Sequence, residues 1–175
     1  MNVLGTLAAV PAAERPDLLA EPVAKAAVGL PGILVAEIDP ALADTAAFCA
    51  AYSSPPEFSA NCVVVSGKRE GQVRFAACLV LATTRADVNG VVKRRLDVRK
   101  ASFAPMDQAV ELTGMEYGGI TPLGLPADWP LLIAPEVAAA EAVVVGSGIR
   151  GSKLAVPGAV LAGLPGAEVV EGLAR

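Results

Sequence analysis

The sequence predicts an α+β fold with a mixed sheet, and three observations carry that expectation. Two β-rich apolar runs lie within NCVVVSGKREGQVRFAACLVLATT (61–84), joined by GKREG, the composition of a hairpin. Several segments of helical character have proline near the start and glycine just past the end. Helices and strand-like runs then alternate irregularly, where a doubly wound parallel sheet would show regular alternation.

Taken in order, PDLLAEPVAKAAVG (16–29) suits a helix opened by Pro16 and ended by Gly29, with Pro22 either kinking it or standing near a start. ILVAEI (33–38) reads as a strand. DPALADTAAFCAAY (39–52) reads as a helix capped by Asp39 with Pro40 at its first position. After the turn-rich SSPPEFS comes the hairpin, then ADVNGVVKRRL (86–96) as a short helix weakened by its valines and Gly90, and KASFA as a short strand. PMDQAVELTG (105–114) has Pro105 at a helix start and Gly114 as its cap. PLLIA, AEAVVVGSGIRGSKLAV and AEVVEG supply further strands, with a small helix near PGAVLAGLPG. There is no internal repeat, low-complexity tract or linker, and 175 residues make one domain, 1–175, the expectation.

Composition narrows the chemistry. The chain is 54% hydrophobic, yet no apolar run reaches the ~18 residues of a membrane span, so no membrane partner is expected. VLGTLAAVPAA near the N-terminus is apolar but lacks the early Lys or Arg of a signal peptide. Cys49, Cys62 and Cys78 are odd in number and have no CxxC spacing, which disfavours a disulfide framework and a zinc cluster; a cytoplasmic location, with no metal or cofactor, is expected. There is no histidine, which excludes Ser-His-Asp and Cys-His catalysis and HExxH zinc sites within this chain. A net charge of −4 does not advertise nucleic-acid binding as a whole. Arg85, Lys93, Arg94, Arg95, Arg99 and Lys100 nevertheless crowd one span holding only Asp87 and Asp97 as acids, either a local basic face or a solvated helix surface.

The stretch EYGGITPLGLPADWP (116–130) is the main candidate for chemistry. In Gly118-Gly119-Ile120-Thr121-Pro122 the glycines permit positive φ and close approach of a ligand, and consecutive free N–H groups in such a bend form a nest for an anionic oxygen. The same residues also suit a plain turn after a helix. Arg150 and Lys153, beside the late glycine-rich segment, either meet phosphate or are solvated. Trp129 either stacks on a base or closes the core. Cys62, by strand alternation, points away from Asn61 and into the core.

The order of ELTG, EYGGITPLGLP and a strand, followed by VVVGSGIRGSKLAV, resembles the YbaK/prolyl-tRNA-synthetase-associated domain family, most fully over residues 60–173. The resemblance implies a partly barrel-like mixed sheet surrounded by helices and an aminoacyl-tRNA deacylase, with mischarged tRNA as substrate and an aminoacyl-tRNA synthetase as a second partner to look for. In that family a GxxxP loop, preceded by TG and followed by PxG, binds the carbonyl of the aminoacyl ester. Here Gly118 to Pro122 match GxxxP, Thr113-Gly114 match TG and Pro122-Leu123-Gly124 match PxG. Gly146-Ser147-Gly148-Ile149-Arg150-Gly151 matches a glycine-rich segment of the same pocket wall, which brings in Ser147, Gly148 and Arg150.

Two departures stand out. Relatives commonly carry a lysine at the head of the first hairpin strand, where this chain has Asn61; Lys68 lies in the hairpin turn. Relatives often place an aspartate where Ala134 stands. An amide orients a substrate group but does not stabilise an anion as an ammonium would, and it equally well caps a strand end by hydrogen bonding to a nearby turn. The resemblance therefore implies a freestanding trans-editing deacylase for small amino acids. The alternatives are a module that holds aminoacyl-tRNA or a small amino acid without hydrolysing it, or a subunit-interaction domain for a synthetase. In the first reading Gly118, Gly119, Ile120, Thr121 and Pro122 hold the reacting group, Asn61, Thr113, Ser147, Gly148 and Arg150 bind substrate, and Lys93, Arg94, Arg95, Arg99 and Lys100 meet the tRNA body.

Overall fold

The computed structural model describes residues 2–175. A two-residue strand, β1 (Val10–Pro11), precedes α1 (Glu21–Ala27), which carries Pro22 in its first turn, where the missing N–H has no intrahelical use. The single helix expected over 16–29 is corrected here. Pro16–Leu18 is a separate 3-10 turn, because the Pro22 ring would clash with the carbonyl of residue 18 in a continuous helix. β2 (Leu34–Glu37) follows. Asp39 caps only a 3-10 turn, Pro40–Leu42, accepting the Ala41 N–H at 2.9 Å; α2 (Thr45–Tyr52) begins afresh and ends on Ser53 at φ 55°.

The hairpin pairs β3 (Ala60–Arg69) with β4 (Gln72–Leu81) in unbroken antiparallel register, Ala60 against Leu81 through Arg69 against Gln72. Its strands are longer than composition implied. Gly67, Lys68 and Arg69 join the ladder, and the turn shrinks to Glu70-Gly71, whose positive φ values of 51° and 79° match the twist of the flanking strands. Val88–Val92 forms one π-helical turn, capped by the Asp87 carboxylate, and runs into α3 (Lys93–Leu96). Next come β5 (Ala101–Phe103) and α4 (Met106–Thr113), the latter bounded by Pro105 and by Gly114 at φ 69° as its sequence predicts. The chain finishes with β6 (Leu131–Ile133), α5 (Pro135–Ala138), β7 (Val143–Gly146), β8 (Ser152–Val156), α6 (Gly158–Ala162) and β9 (Ala167–Val169).

Two sheets result. One has the order β1-β2-β8-β7 and is antiparallel throughout; the other, β5-β3-β4-β6-β9, is mixed, with β6 parallel to both β4 and β9. A parallel bridge between Ser59 and Val144 joins them without closing a barrel. Leu79, Leu131, Ile133, Val143, Leu154 and Leu161 anchor the main core between the sheets. A smaller cluster lies under α2, where Phe48 packs with Ala36, Ile38, Val144 and Ala155. Burial of side chains of this size contributes roughly 1.5–3 kcal/mol apiece. Trp129 is in a third cluster and stacks on Phe75 with ring centroids 5.1 Å apart, so it closes the core.

One detail of pairing positions the site. β5 covers only Val65, Ser66 and Gly67 of β3, and the Val64 carbonyl is taken by Ala104 N–H. From Ala60 to Val63 that edge of β3 is hydrogen-bonded to no strand; β7 lies near it but bridges only at Ser59.

No helix among the described residues is long and apolar enough to cross a membrane.

Candidate active-site cleft

The uncovered edge of β3 opens onto a cleft of about 500 Å³. One wall is β3 itself, with Asn61 and Cys62; opposite stand Gly146 of β7 and Lys153 of β8; α2 contributes Thr45 and Phe48, and the loop after α4 contributes Tyr117, Gly118 and Ile120. Phe103, Met106 and Tyr117 are all more than half exposed at this cleft, giving it an apolar, partly aromatic border. A second groove of about 690 Å³ shares Asn61, Val63 and Phe103 with the first and extends it past Arg85 and Asn89.

The glycine loop differs from its sequence reading in which atoms it offers. Gly119 N–H donates to Glu116 O at 2.9 Å, closing the turn, so this hydrogen is spent inside the loop. Thr121 is fully buried, its N–H directed at Met115 Sδ at 3.5 Å, and Pro122 has no N–H to give. None of these three residues lines the cleft. Gly118 and Ile120 do, and their N–H groups have no acceptor among the described residues. Gly118 has φ 83°, a conformation that costs an L side chain roughly 1–2 kcal/mol. The Thr121 hydroxyl is buried without a partner, and nothing in the structure accounts for it.

This loop is stitched to the later glycine-rich segment. Gly148 N–H donates to Gly119 O at 2.7 Å, and Glu116 N–H donates to Gly148 O at 2.8 Å. The approach is close enough that a Cβ on Gly119 would lie 2.8 Å from the Ile149 carbonyl oxygen, and one on Gly146 would lie 2.5 Å from Gly119 O. Gly148 thus holds the loop rather than facing the cavity. Ser147 is also structural: its hydroxyl is buried and bonded to Ser152 Oγ at 2.6 Å. Thr113 is turned back onto its own helix, donating to Ala109 O at 2.7 Å and accepting from Met115 N–H. None of Thr113, Ser147 and Gly148, expected to contact substrate, lines the cleft. Arg150 lies over Gly118, donating to Tyr117 O and to Pro40 O, each at 3.3 Å, and standing 3.8 Å from the Asp44 carboxylate.

Asn61 does face the cleft. Thr45 Oγ1 donates to its Oδ1 at 3.0 Å, which leaves its amide hydrogens without an acceptor among the described residues. Cys62 is half-buried on the same wall and also packs on the core, rather than being wholly interior. Both neighbours reach the cavity because it lies at a strand edge. Burial pushes the Cys62 thiol well above the usual range, so it stays protonated and is no nucleophile.

Lys153 is the residue that sequence reasoning placed wrongly if solvated. It is only 8% exposed, it lines the cleft, and its Nζ is 5.6 Å from the centroid of the Phe48 ring. Desolvation holds its pKa below the ordinary value, assisted by Arg150 and opposed by Asp44. The signal was present in SKLAV: period two puts Ser152, Leu154 and Val156 on one face and Lys153 with Ala155 on the other.

The basic span lies outside the first cleft. Lys93 is half-buried, while Arg94, Arg95, Arg99 and Lys100 are exposed, Arg95 being paired with Glu168. The span follows the π-helical turn whose Val88 and Asn89 line the second groove.

Fold and cleft together define a small α+β domain whose cleft is lined in part by a glycine loop with unclaimed N–H groups. The family model described as the aminoacyl-tRNA editing domain matches residues 39–164, and the chain belongs to that family. Among solved structures, a scaffold protein from epitope backbone grafting by computational design aligns with TM-score 0.73 and 20% identity over 87% of this chain and 95% of its own. A candidate trans-editing enzyme for prolyl tRNA synthetase aligns with TM-score 0.72 and 21% identity over 87% of this chain and 94% of its own. The hypothetical protein APE2540 aligns with TM-score 0.66 and 20% identity over 76% and 85%. At such identities the structures establish the fold. No curated protein sequence matches the chain.

Proposed function

We propose that the chain is a freestanding deacylase that hydrolyses the ester of a tRNA mischarged with a small amino acid. The observation that carries this reading is the pair of unclaimed N–H groups, on Gly118 and Ile120, at the wall of a cleft large enough for an aminoacyl-ribose end. In ester hydrolysis a water oxygen adds to the acyl carbon, negative charge collects on the former carbonyl oxygen, and the bond to the ribose oxygen breaks as that oxygen takes a proton. Each preorganised donor facing the charged oxygen is worth about 2.7–4 kcal/mol. Without histidine, the water is activated by the substrate's own ribose hydroxyl or by a water chain. Asn61 turns its amide hydrogens to the substrate, and the exposed rings of Phe103 and Tyr117 suit stacking by the terminal base. A cleft selects by size at only about 1–3 kcal/mol per methylene, which suits correction of a synthetase's errors with small substrates. The tRNA body follows the second groove toward Lys93, Arg94, Arg95, Arg99 and Lys100, with affinity that falls as salt rises.

Incubation of the protein with Ala-, Ser- and Cys-charged tRNAs tests this. Loss of the aminoacyl group faster than in protein-free controls is expected for at least one. Protection of the ester across the panel would favour the other reading that Asn61 raises, a module that holds the charged end without cleaving it.

A further inference from the structure

The head of β3 is neutral at Asn61, yet the cleft is not without positive charge. We infer that Lys153 supplies it from β8, its ammonium being the cationic contact for an oxygen of the aminoacyl-ribose end. The inference rests on the function proposed above and adds a residue to its machinery.

Four observations converge on it. Lys153 is more than nine-tenths buried and lines the cleft, so its head is held there and not spread along an outer surface. Among the described residues no carboxylate lies within 4 Å of it and no acceptor takes its hydrogens. Asp44, on the same cleft, favours the ammonium from a distance but stands by Arg150 and is largely exposed. The residue paired with Lys153 across the β7–β8 ladder is Gly146, which lines the cleft and whose missing side chain lets the Gly119–Ile120 backbone approach, so the glycine loop and the lysine meet the same wall. Finally, the other β8 residue on that face, Ala155, packs under α2 with Phe48, which shows that the position suits an apolar side chain if packing alone is required.

A buried ammonium with no ion-pair partner within 4 Å is costly to the fold, and such costs concentrate where a ligand is met. Phe48 offers its ring face, which softens that cost without neutralising the charge. An ammonium offers three donors and attracts either the carbonyl oxygen or the charge that forms on it; no proton needs to leave the lysine for the ester to be cleaved.

The test compares the wild type with Lys153→Met, Lys153→Arg and the double variant Asn61→Lys/Lys153→Met. Three readouts are taken: single-turnover deacylation of the tRNA that the panel identifies, calorimetric binding of 3′-alanylamino-3′-deoxyadenosine, whose amide replaces the labile ester, and thermal unfolding. Lys153→Met is expected to slow deacylation by about 10²-fold and weaken analogue binding at least roughly tenfold, with an unfolding temperature equal to or above that of the wild type. Lys153→Arg keeps part of the rate, and Asn61→Lys restores at least roughly tenfold to the methionine variant by returning charge to the same space from β3. Wild-type rate and binding in Lys153→Met would overturn the inference, as would a loss of rate explained by a lowered unfolding temperature that Asn61→Lys does not repair. If the wild type neither hydrolyses any charged tRNA nor binds the analogue, the functional reading fails and the role of Lys153 falls with it.

Discussion

The two ends of the β3–β4 hairpin obey different rules. At the turn end the ladder is complete, the strands project Lys68, Arg69, Gln72 and Arg74 toward water, and Asp97 answers Arg69 at 3.2 Å and Arg74 at 3.5 Å in exposed ion pairs. At the other end the ladder to β4 is just as regular, but the opposite edge of β3 from Ala60 to Val63 is hydrogen-bonded to no strand. There the neighbours are a helix start, two glycine loops and a buried lysine. The difference teaches that the cavity comes from omission. β5 stops short, and the residues of the proposed chemistry gather at the gap.

The comparison is broken most severely at the loops. Gly119→Ala would put a methyl group 2.8–2.9 Å from the Ile149 backbone, which cannot swing aside as a side-chain end does. The expected cost is about 2–3 kcal/mol of stability, read by denaturant titration, with loss of most deacylation as Gly118 and Ile120 shift. A change at the exposed start of β4, Gln72→Ala, serves as the contrast.

The next effect is a dependence on pH. The Lys153 pKa is lower in the fold than its ordinary 10.5, so between the folded and unfolded values the unfolded chain binds more protons. Stability from this group therefore rises with pH through that window and is least below it, where the buried ammonium is fully charged. Arg150, Asp44 and Cys49 face the same group and set its environment. Lys153→Met should lie above the wild type in unfolding free energy near neutral pH, with the gap closing as pH approaches 10.5, whereas catalysis by the wild type should decline over the same rise as the ammonium is lost. A constant gap across that range would remove the buried charge as its cause.

The smallest effect is expected at the hairpin turn. Arg69→Ala deletes an ion pair whose members are 40% and 66% exposed, and exposed pairs contribute only about 0.2–1 kcal/mol. The loss, followed by thermal unfolding, should shrink further in high salt and leave deacylation untouched.

Much of the architecture is legible where local rules decide it. The hairpin is announced by two β-rich runs and a Glu-Gly turn, and α4 by Pro105 and Gly114, since both depend on backbone preferences of neighbouring residues. The Asp39-Pro40 start reads as a full helix but yields one 3-10 turn, because cap and proline specify a beginning and not a length. β1 and α5 were not foreseen; two strand residues and four helical ones carry too little pattern to register. The glycine loop is legible as a place, and its individual atoms are not. That Gly119 N–H closes a turn onto Glu116 while Gly118 and Ile120 stay unclaimed depends on the path of the chain through space. Lys153 falls between these cases: its alternation is visible in five letters, but whether its face is covered depends on α2 crossing that sheet, more than a hundred residues earlier in the sequence.

Arg150 couples segments that the sequence keeps far apart. Its guanidinium touches carbonyls at positions 40 and 117 and stands by a carboxylate at 44, so these segments are tied beside Gly118 by one flexible side chain rather than by backbone. A single rotamer change there would release the segment at 40–44 and the loop at 117 together, making their mutual anchoring a property of one residue's torsion angles.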